Sequence, residues 1–280
     1  MLKFMFLKIN YLTLDINKAI YLLKFNFWKK WKTMALNKDI TVVVPVKNES
    51  GNIANLIQEI DHALEALNYE IVYVNDGSND STLEDLKEIL KINKRLRVIN
   101  HKSSKGQSAA LRTGVSFSNS NIIATLDGDG QNDPADLTEM IALIKGQKNQ
   151  LTLIGGVRVN RKDSKSRLWA SAFARLCRQS LLRDNHSDSG CGIKVFHKNL
   201  YIRLPYFDHM HRFLSALALR EGAKVLEYNV NHRERTKGIS KYTNFGRLLV
   251  GISDILGVMW LIKRMPKDLT SQEISNNKEN

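Results

Sequence analysis

Apolar runs alternate with amphipathic stretches along the chain from about residue 39 onward. The segment "ITVVVPV" (40–46) is a continuous and mostly β-branched run, which is typical of a buried strand, whereas "ANLIQEIDHALEAL" (54–67) carries apolar residues at helical spacing. The same alternation continues through further segments, which predict strands at 69–76, 95–100 and 121–127 and helices at 81–93, 107–118 and 134–145. This order predicts an α/β fold with a mostly parallel central sheet flanked by helices on both faces.

The pattern weakens after about residue 150. Further segments predict strands at 151–159, 192–204 and 223–235 and a helix at 167–182. The apolar segment "LLVGISDILGVMWLI" (248–262) is shorter than the roughly 20 residues that span a bilayer, so we expect an interfacial or core-packing helix. The polar residues 267–280 are predicted to form a disordered tail.

The length of 280 residues, with 43% hydrophobic and 25% charged residues, fits one globular domain with terminal extensions. The formal net charge of +14 favours an anionic partner such as nucleic acid, membrane headgroups or phosphorylated substrates. Nucleic acid is disfavoured because the basic residues are dispersed and no stacking-aromatic motif or zinc ligand set accompanies them. Two cysteines, Cys177 and Cys191, match neither a disulfide framework nor a zinc pattern, which favours a reducing cytosol.

Residues 1–36 form a basic N-terminal extension in which apolar side chains are interrupted by lysines. One interpretation is a basic amphipathic surface helix. The other is that translation starts at Met34, just before the first predicted strand. The predicted organisation continues with one α/β domain at 37–235 and a C-terminal segment at 236–266.

Polar clusters follow three of the predicted strands. These clusters are "PVKNES", "NDGSND" and "DGDGQND", and each contains a carboxylate. Solvated turns explain any one of them, but not why each ends a different strand. Because ligands of such sheets bind beyond the carboxyl ends of the strands, the three clusters predict one site at that edge.

The carboxylates of Asp127 and Asp129, one residue apart, suit a hard divalent cation. An EF-hand is excluded because the sixth loop position is Asn132 instead of glycine and the twelfth is Thr138 instead of glutamate. Mg²⁺ or Mn²⁺ holding a substrate diphosphate fits better, since Mg²⁺ takes one or two carboxylates and completes its shell with phosphate oxygens and water. The chain lacks a GxGxxG motif opening the first helix and a GxxxxGK[ST] motif, which disfavours dinucleotide redox chemistry and P-loop hydrolysis.

A set of seven motifs, in order, carries a resemblance to a known family. The motifs are "VVVPVKNES", "VNDGSNDST", "GQSAALRTG", "LDGDGQNDP", "DSGCGIKVF", "HRFLSAL" and "RTKGISKY". Together they resemble the inverting family 2 glycosyltransferases of the GT-A fold, and more narrowly the dolichol-phosphate mannose synthase and bacterial polyprenyl-phosphate glycosyltransferase branch. The resemblance covers about 39–264. It implies that 37–235 is a GT-A catalytic domain and that 236–266 is a membrane-proximal segment with interfacial helices.

The resemblance also implies roles on the donor side. Pro45 and Glu49 would line the nucleotide pocket near the base and ribose, and Asp76 would recognise the uracil or guanine edge. The metal ligands implied are Asp127, Asp129 and Gln131, with Asp127 also counted among the nucleotide-sugar-binding residues.

On the acceptor side, the resemblance implies a set of phosphate-binding residues. They are Arg158, Arg167, Arg235, Ser240 and Lys241, and the catalytic residues implied are Asp129, Arg158 and Arg235. Guanidinium groups suit this role because they contact phosphate in a bidentate manner. His211 and Arg212 match a helix that borders the family's site, although a capping or packing histidine is an equal interpretation.

These features predict an inverting, metal-dependent transfer of a sugar from GDP-mannose or a UDP-sugar to a polyprenyl phosphate. The reaction is expected at the cytoplasmic face of the membrane, to which Trp260, Lys263 and Arg264 would attach the protein peripherally. The alternative acceptor is a saccharide hydroxyl of a lipid A, lipopolysaccharide or capsule precursor. That alternative requires a general base, for which Asp129 and Asp188 are the candidates.

Overall fold

The computed structural model describes residues 38–148, 151–159, 175–176, 178–233 and 244–265, with the backbone alone for 244–250. The seven strands of the sheet are Ile40–Val46 (β1), Tyr69–Asp76 (β2), Leu96–His101 (β3), Ile122–Thr125 (β4), Thr152–Arg158 (β5), Lys194–His197 (β6) and Lys224–Val230 (β7). The helices are Ile53–Ala63 (α1), Thr82–Ile92 (α2), Gln107–Phe117 (α3), Asp136–Lys145 (α4), Lys198–Arg203 (α5), Leu214–Arg220 (α6) and Asn244–Lys263 (α7), with a 3-10 turn at Met210–Phe213. The predicted N-terminal extension and polar tail lie outside the described residues.

The strands form one sheet in the order β3-β2-β1-β4-β6-β5-β7. The pairs β1–β2, β1–β4, β2–β3 and β5–β7 are parallel, whereas β6 runs antiparallel to both β4 and β5. The sheet is therefore mostly parallel, as predicted. Because β1, β2 and β4 are parallel neighbours around the centre, their carboxyl ends lie at one edge, where the three acidic clusters follow them.

Two apolar clusters cover the two faces of the sheet. On one face, Val42, Val44 and Tyr73 pack with buried side chains of α1 and α4. On the other face, Val43 and Val74 pack with α3, α6 and the 3-10 turn. Alternate residues of β1 and β2 thus serve opposite faces, which is why these strands consist of continuous apolar runs.

The prediction of a strand over 192–204 is wrong beyond His197, because α5 occupies Lys198–Arg203. The buried side chains there are Leu200 and Tyr201 within the helix and Leu204 directly after it, a spacing of one and then three residues. This spacing places them on one side of a helix. Six residues are too few for the sequence pattern to separate this helix from a continued strand.

The C-terminal helix α7 lies on the second apolar cluster through Val258, which is fully buried, and its neighbours Ile255, Met259 and Ile262. A stripe of three apolar side chains lies exposed on the same helix, with Ile252 50%, Leu256 59% and Trp260 58% exposed. Within the described part of the chain, we find no helix with the length and apolar character needed to cross a membrane.

Candidate active site

The loops that follow β1 and β2 are tied together at the carboxyl edge of the sheet. The Asn48 backbone N–H donates to Ser78 Oγ (2.9 Å), and the Glu49 backbone N–H donates to Thr82 Oγ1 (2.9 Å). The predicted nucleotide-pocket residue Pro45 lies one residue before the end of β1. The structure therefore brings the first two acidic clusters together, as expected from the parallel sheet.

Asp76, at the end of β2, holds the loop that leads into α3. Its carboxylate accepts hydrogen bonds from His101 Nδ1 (2.8 Å), Ser104 Oγ (2.7 Å) and the backbone N–H groups of Lys105 (2.7 Å) and Gly106 (2.9 Å), with His101 in the tautomer that donates from Nδ1. Burial alone would raise the pKa of Asp76, but these four hydrogen bonds outweigh it and lower the pKa. Asp76 thus fixes this loop, and its contact with a nucleotide base stays a prediction.

The loop fixed by Asp76 delivers Gln107 to the acidic cluster after β4. Gly106 has a φ of 89°, a left-handed conformation that favours glycine, and α3 begins at the next residue. Gln107 Nε2 then donates to Asp127 Oδ1 (2.9 Å). Gln107 was not predicted as a site residue, because its partner lies 20 residues away and only the fold brings the two together.

The acidic pair itself, Asp127 and Asp129, lies just beyond β4. Burial and, to a lesser extent, the negative charge of Asp129 together raise the pKa of Asp127 to about 6, against the lowering effect of Lys194 and Arg158. Asp129 Oδ1 accepts a hydrogen bond from the Gln131 backbone N–H (3.1 Å). A divalent cation would relieve the repulsion between the two carboxylates, so this donor set fits Mg²⁺ or Mn²⁺.

Within the described residues, no group of three or more His, Cys, Asp or Glu side chains is arranged to hold a metal ion. Two carboxylates are nevertheless enough for a metal that takes its remaining ligands from a diphosphate and water. The fit therefore depends on a substrate that supplies phosphate oxygens.

Gln131, the third predicted metal ligand, pairs with the segment after β7. Its Nε2 donates to the Arg233 carbonyl (3.3 Å) and lies 3.5 Å from His232 Nε2, while the Arg233 backbone N–H donates to the Gln131 carbonyl (2.9 Å). This contact brings the imidazole of His232 to the acidic edge. His232 was not predicted as a site residue, although it lies near the end of the strand predicted at 223–235.

The loop before β6 presses against the carboxylate of Asp127. A Cβ at Gly192 would lie 2.1 Å from Asp127 Oδ2, so any side chain there would displace the carboxylate or the loop. The Gly192 carbonyl accepts a hydrogen bond from Thr125 Oγ1 (2.7 Å). The second glycine of the "DSGCG" motif is thus explained by this close approach.

Arg158, at the end of β5, forms a bidentate ion pair with Asp188. Its Nε and Nη2 lie 2.6 Å and 2.8 Å from the two carboxylate oxygens. Burial alone would lower the pKa of Arg158, but the hydrogen bonds and charge of Asp188 raise it. Because both oxygens of Asp188 accept from Arg158, this pairing argues against Asp188 as a general base.

A cavity of about 280 Å³ opens beside Asp127. It is lined by Gln107, Leu111, Thr125, Leu126, Asp127, Ser189, Gly190, Cys191, Gly192, Lys194, His211, Arg212 and Leu214. His211 Nδ1 lies 2.8 Å from Ser108 Oγ, and burial, with nearby positive charge, lowers the pKa of His211 to about 3. His211 is therefore neutral at physiological pH, and it both borders the site and packs against α3.

Lys194 is a buried cation in this cavity that sequence analysis missed. The residue is only 4% exposed, and its Nζ donates to the Cys191 carbonyl. Burial lowers the pKa of Lys194, against the raising effect of Cys191, Asp127 and Asp188. The available signal was a lysine inside the apolar segment "GIKVF".

The remaining predicted site residues are Arg167, Arg235, Ser240 and Lys241, which lie outside the described residues. Their roles in holding phosphate stay predictions.

Comparison with known proteins identifies the family. The family described as "Glycosyl transferase family 2" matches residues 41–204, more than half of the chain. The chain belongs to glycosyl transferase family 2. The predicted family, and with it the glycosyltransferase class of enzyme, is confirmed.

Two curated relatives agree with the predicted branch of the family. The dodecaprenyl-phosphate galacturonate synthase of Rhizobium johnstonii is 29% identical over 80% of this chain and 68% of its own length. The undecaprenyl-phosphate 4-deoxy-4-formamido-L-arabinose transferase of Aeromonas hydrophila is 28% identical over 73% of this chain and 63% of its own length. The chain thus spans about two thirds of the length of these relatives.

Solved structures confirm the fold. Glucosyl-3-phosphoglycerate synthase from Mycobacterium tuberculosis, in complex with Mn²⁺, uridine diphosphate and phosphoglyceric acid, superposes with a TM-score of 0.60 at 17% identity, covering 82% of this chain and 80% of that one. The same enzyme with Mn²⁺, UDP-glucose and glycerol 3-phosphate gives a TM-score of 0.59 at 17% identity, covering 82% of both chains. At this identity the likeness concerns the fold alone, and it confirms the predicted GT-A architecture.

Proposed function

We propose that this family 2 glycosyltransferase moves a sugar from a nucleotide-sugar to a polyprenyl phosphate, with inversion at the anomeric carbon, at the cytoplasmic face of a membrane. The observation that carries the proposal is the juxtaposition of the carboxylate pair Asp127 and Asp129 with a cavity that contains buried positive charge. That arrangement suits a reaction in which both the leaving group and the nucleophile are phosphates. The two polyprenyl-phosphate relatives support the choice of acceptor.

Asp127 and Asp129 would hold the divalent cation, with Gln131 adjacent. When bound, Mg²⁺ or Mn²⁺ supplies positive charge that stabilises the departing nucleoside diphosphate. Gln107 and Gly192 fix the position of Asp127, since one donates to its carboxylate and the other leaves room for it.

The nucleotide would lie against Pro45, Glu49 and the loop held by Asp76. The solved structural neighbour binds Mn²⁺ and uridine diphosphate, which makes UDP-sugars the first donors to test. GDP-mannose is the second donor in the panel, because the predicted branch of the family includes dolichol-phosphate mannose synthase.

The acceptor side favours a phosphate over a sugar hydroxyl. A phosphate monoester is already ionised at neutral pH, so its oxygen attacks the anomeric carbon without help from a general base. A hydroxyl requires a base, and Asp188 already gives both carboxylate oxygens to Arg158. The guanidinium of Arg158 carries about five N–H donors. Its Nε and Nη2 each donate to Asp188, and the remaining N–H groups are available to a phosphate oxygen.

The exposed stripe of Ile252, Leu256 and Trp260 on α7 would face the membrane that carries the lipid substrate. Trp260 suits the membrane interface, since its ring is apolar and the Arg264 guanidinium lies 5.7 Å from the ring centroid, where it can meet a headgroup. Anionic headgroups would complement the formal net charge of +14.

The opposite side of α7 is fixed to the catalytic domain. His209 Nδ1 lies 3.2 Å from Asp254 Oδ2, and Arg220 Nε donates to the Leu261 carbonyl (3.1 Å). Attachment of α7 to a membrane would therefore also fix the orientation of the catalytic domain relative to that membrane.

The test is transfer of a labelled sugar into an organic phase. The purified protein is incubated with a panel of labelled nucleotide-sugars, polyprenyl phosphate and Mg²⁺ or Mn²⁺, and the lipid is then extracted. The proposal predicts label in the organic phase that depends on the metal and disappears in Asp129→Asn. Undecaprenol in place of its phosphate is the matched control, and it should accept no sugar.

Label that stays in the water phase with every donor, while the nucleotide-sugar binds normally, would contradict the lipid-phosphate acceptor. A hydroxyl acceptor would then be indicated, and Asp129 would become its candidate base. Binding to vesicles that contain anionic lipid, lost when Trp260 and Leu256 are changed to serine, tests the membrane contact separately.

A further inference from the structure

Lys194 has hydrogen-bonding capacity that the protein does not use. An ammonium group carries about three N–H donors. Among the described residues, the Nζ of Lys194 donates to one acceptor, the carbonyl of Cys191. The residue is only 4% exposed, so it is largely shielded from bulk water, and it lines the cavity beside Asp127. An anion in the cavity would supply further acceptors to this ammonium group, and charge-assisted hydrogen bonds of that kind are the strong ones.

A second cation lines the same cavity. Arg212 follows the neutral His211 in the 3-10 turn, and no carboxylate of the described residues forms an ion pair with its guanidinium. The turn is held in place by Ser108, whose Oγ accepts from the His211 backbone N–H (3.3 Å). The two cations therefore come from separate elements, β6 and the turn before α6, but border one space.

The single carboxylate of Asp127 does not neutralise the positive charges of both Lys194 and Arg212. It is the one acidic side chain among the lining residues described, and Gln107 already donates to one of its oxygens. In the proposed reaction, its charge is also shared with a divalent cation. Two cations then remain beside one partly neutralised carboxylate, which leaves the cavity suited to an anion.

We propose that Lys194 and Arg212 form an anion-binding subsite that takes phosphate oxygens of a substrate, separate from the acceptor residues predicted by sequence. This inference rests on the proposed function for the identity of the substrate, which presents two phosphate sources: the diphosphate of the donor and the phosphate monoester of the lipid. Lys194 would donate to the phosphate from β6 and Arg212 from the turn before α6. Both contacts are charge-assisted hydrogen bonds in a site shielded from water, where such bonds are strongest.

The experiment measures binding of each phosphate source by isothermal titration calorimetry in the presence of Mg²⁺. The probes are uridine diphosphate for the donor side and geranyl phosphate for the lipid side. We expect Lys194→Gln to weaken binding of at least one probe by about tenfold, because a charge-assisted hydrogen bond is lost. Lys194→Arg should recover part of the affinity, since it restores the charge.

The matched control is Lys198→Gln. Lys198 lies four residues further along the chain, and its Nζ donates to the Ser118 carbonyl, away from the cavity. Its loss should leave both affinities unchanged. Arg212→Gln, at a more exposed position, gives a second measurement in case Lys194→Gln does not fold, and it should weaken the same probe.

Loss of affinity for uridine diphosphate alone would assign the subsite to the donor, and loss for geranyl phosphate alone would assign it to the lipid. Unchanged affinity for both probes in folded Lys194→Gln and Arg212→Gln would overturn the subsite. This outcome is distinguishable from failure of the proposed function. If the wild-type protein transfers no sugar to lipid but Lys194→Gln weakens the binding of uridine diphosphate, the subsite is supported and the lipid-phosphate acceptor of the proposed function is not.

Discussion

Replacing Gly192 with alanine tests whether the loop before β6 sets the position of the Asp127 carboxylate. The added Cβ would lie 2.1 Å from Asp127 Oδ2, whereas ordinary contacts begin at 3.4 Å. The backbone of Gly192 is held by Thr125 Oγ1 at 2.7 Å, so we expect the carboxylate to move instead of the loop. The displacement is about 1 Å, and a misplacement of that size in a catalytic site costs about a hundredfold in rate.

The assay compares the rate of sugar transfer and the affinity for Mn²⁺ in Gly192→Ala and wild type. We expect a loss of about a hundredfold in kcat, together with weaker Mn²⁺ binding, because Asp127 no longer presents its oxygens at the same place. The melting temperature should change by only a few degrees, since the carboxylate can rotate away from the new methyl group.

Gly146→Ala is the matched control for this substitution. Gly146 has right-handed helical dihedral angles at the end of α4, and a Cβ there would meet its neighbours at 3.5 Å and 3.6 Å. Its activity should equal that of the wild type. A Gly192→Ala protein with wild-type rate and wild-type Mn²⁺ affinity would refute the reasoning, because Asp127 would then not be positioned by this loop or not be needed.

Three further substitutions test the surrounding structure. Arg158→Lys replaces a bidentate pair with Asp188 by a single contact, so the free energy of unfolding in urea should fall by about 1–3 kcal/mol; an unchanged midpoint would show that the pair is not formed. The pKa of His211 is about 3 in the folded chain and about 6.5 when unfolded, so the contribution of His211 to stability is complete above pH 6.5 and is lost as the pH falls towards 3. In His211→Gln, the slope of the unfolding free energy against pH should therefore fall by about 1.4 kcal/mol per pH unit between about pH 4 and 6. Equal slopes in the variant and the wild type would contradict this. Glu70→Ala removes the acceptor of Thr41 Oγ1, Arg97 Nη1 and the Asn119 backbone N–H, so the free energy of unfolding, measured by thermal unfolding, should fall by about 2–4 kcal/mol. Glu88→Ala removes the exposed pair with Lys91 and should change that free energy by less than about 0.5 kcal/mol. Similar losses in the two variants would contradict the prediction.

The central sheet could be predicted because its strands carry their signal locally. The runs at Ile40–Val46 and Tyr69–Asp76 are buried on both faces, so nearly every position is apolar and the predicted bounds match the observed ones. The direction of β6 could not be predicted, since four residues show the same pattern in a parallel and an antiparallel strand. The helix α5 could not be predicted either, because its six residues are too few to show a helical period.

The residues of the candidate site also fall into two groups, those that the sequence predicts and those that only the fold reveals. Asp127 and Asp129 could be found because both carboxylates belong to one segment at the end of one strand. Gln107, Lys194 and His232 reach that segment from distant parts of the chain, and only the packing of α3, β6 and the end of β7 brings them there. Sequence alone therefore located the acidic pair but not the side chains that fix and surround it.

The central claim is that Asp127 and Asp129 hold a divalent cation against the diphosphate of a nucleotide-sugar. Electron paramagnetic resonance of Mn²⁺, titrated with the protein in the presence and absence of uridine diphosphate, tests it most directly. The account predicts that uridine diphosphate tightens Mn²⁺ binding to the wild-type protein and that Asp129→Asn abolishes this effect while remaining folded. Mn²⁺ binding to the wild-type protein that uridine diphosphate does not tighten, or the same tightening in folded Asp129→Asn, would contradict it.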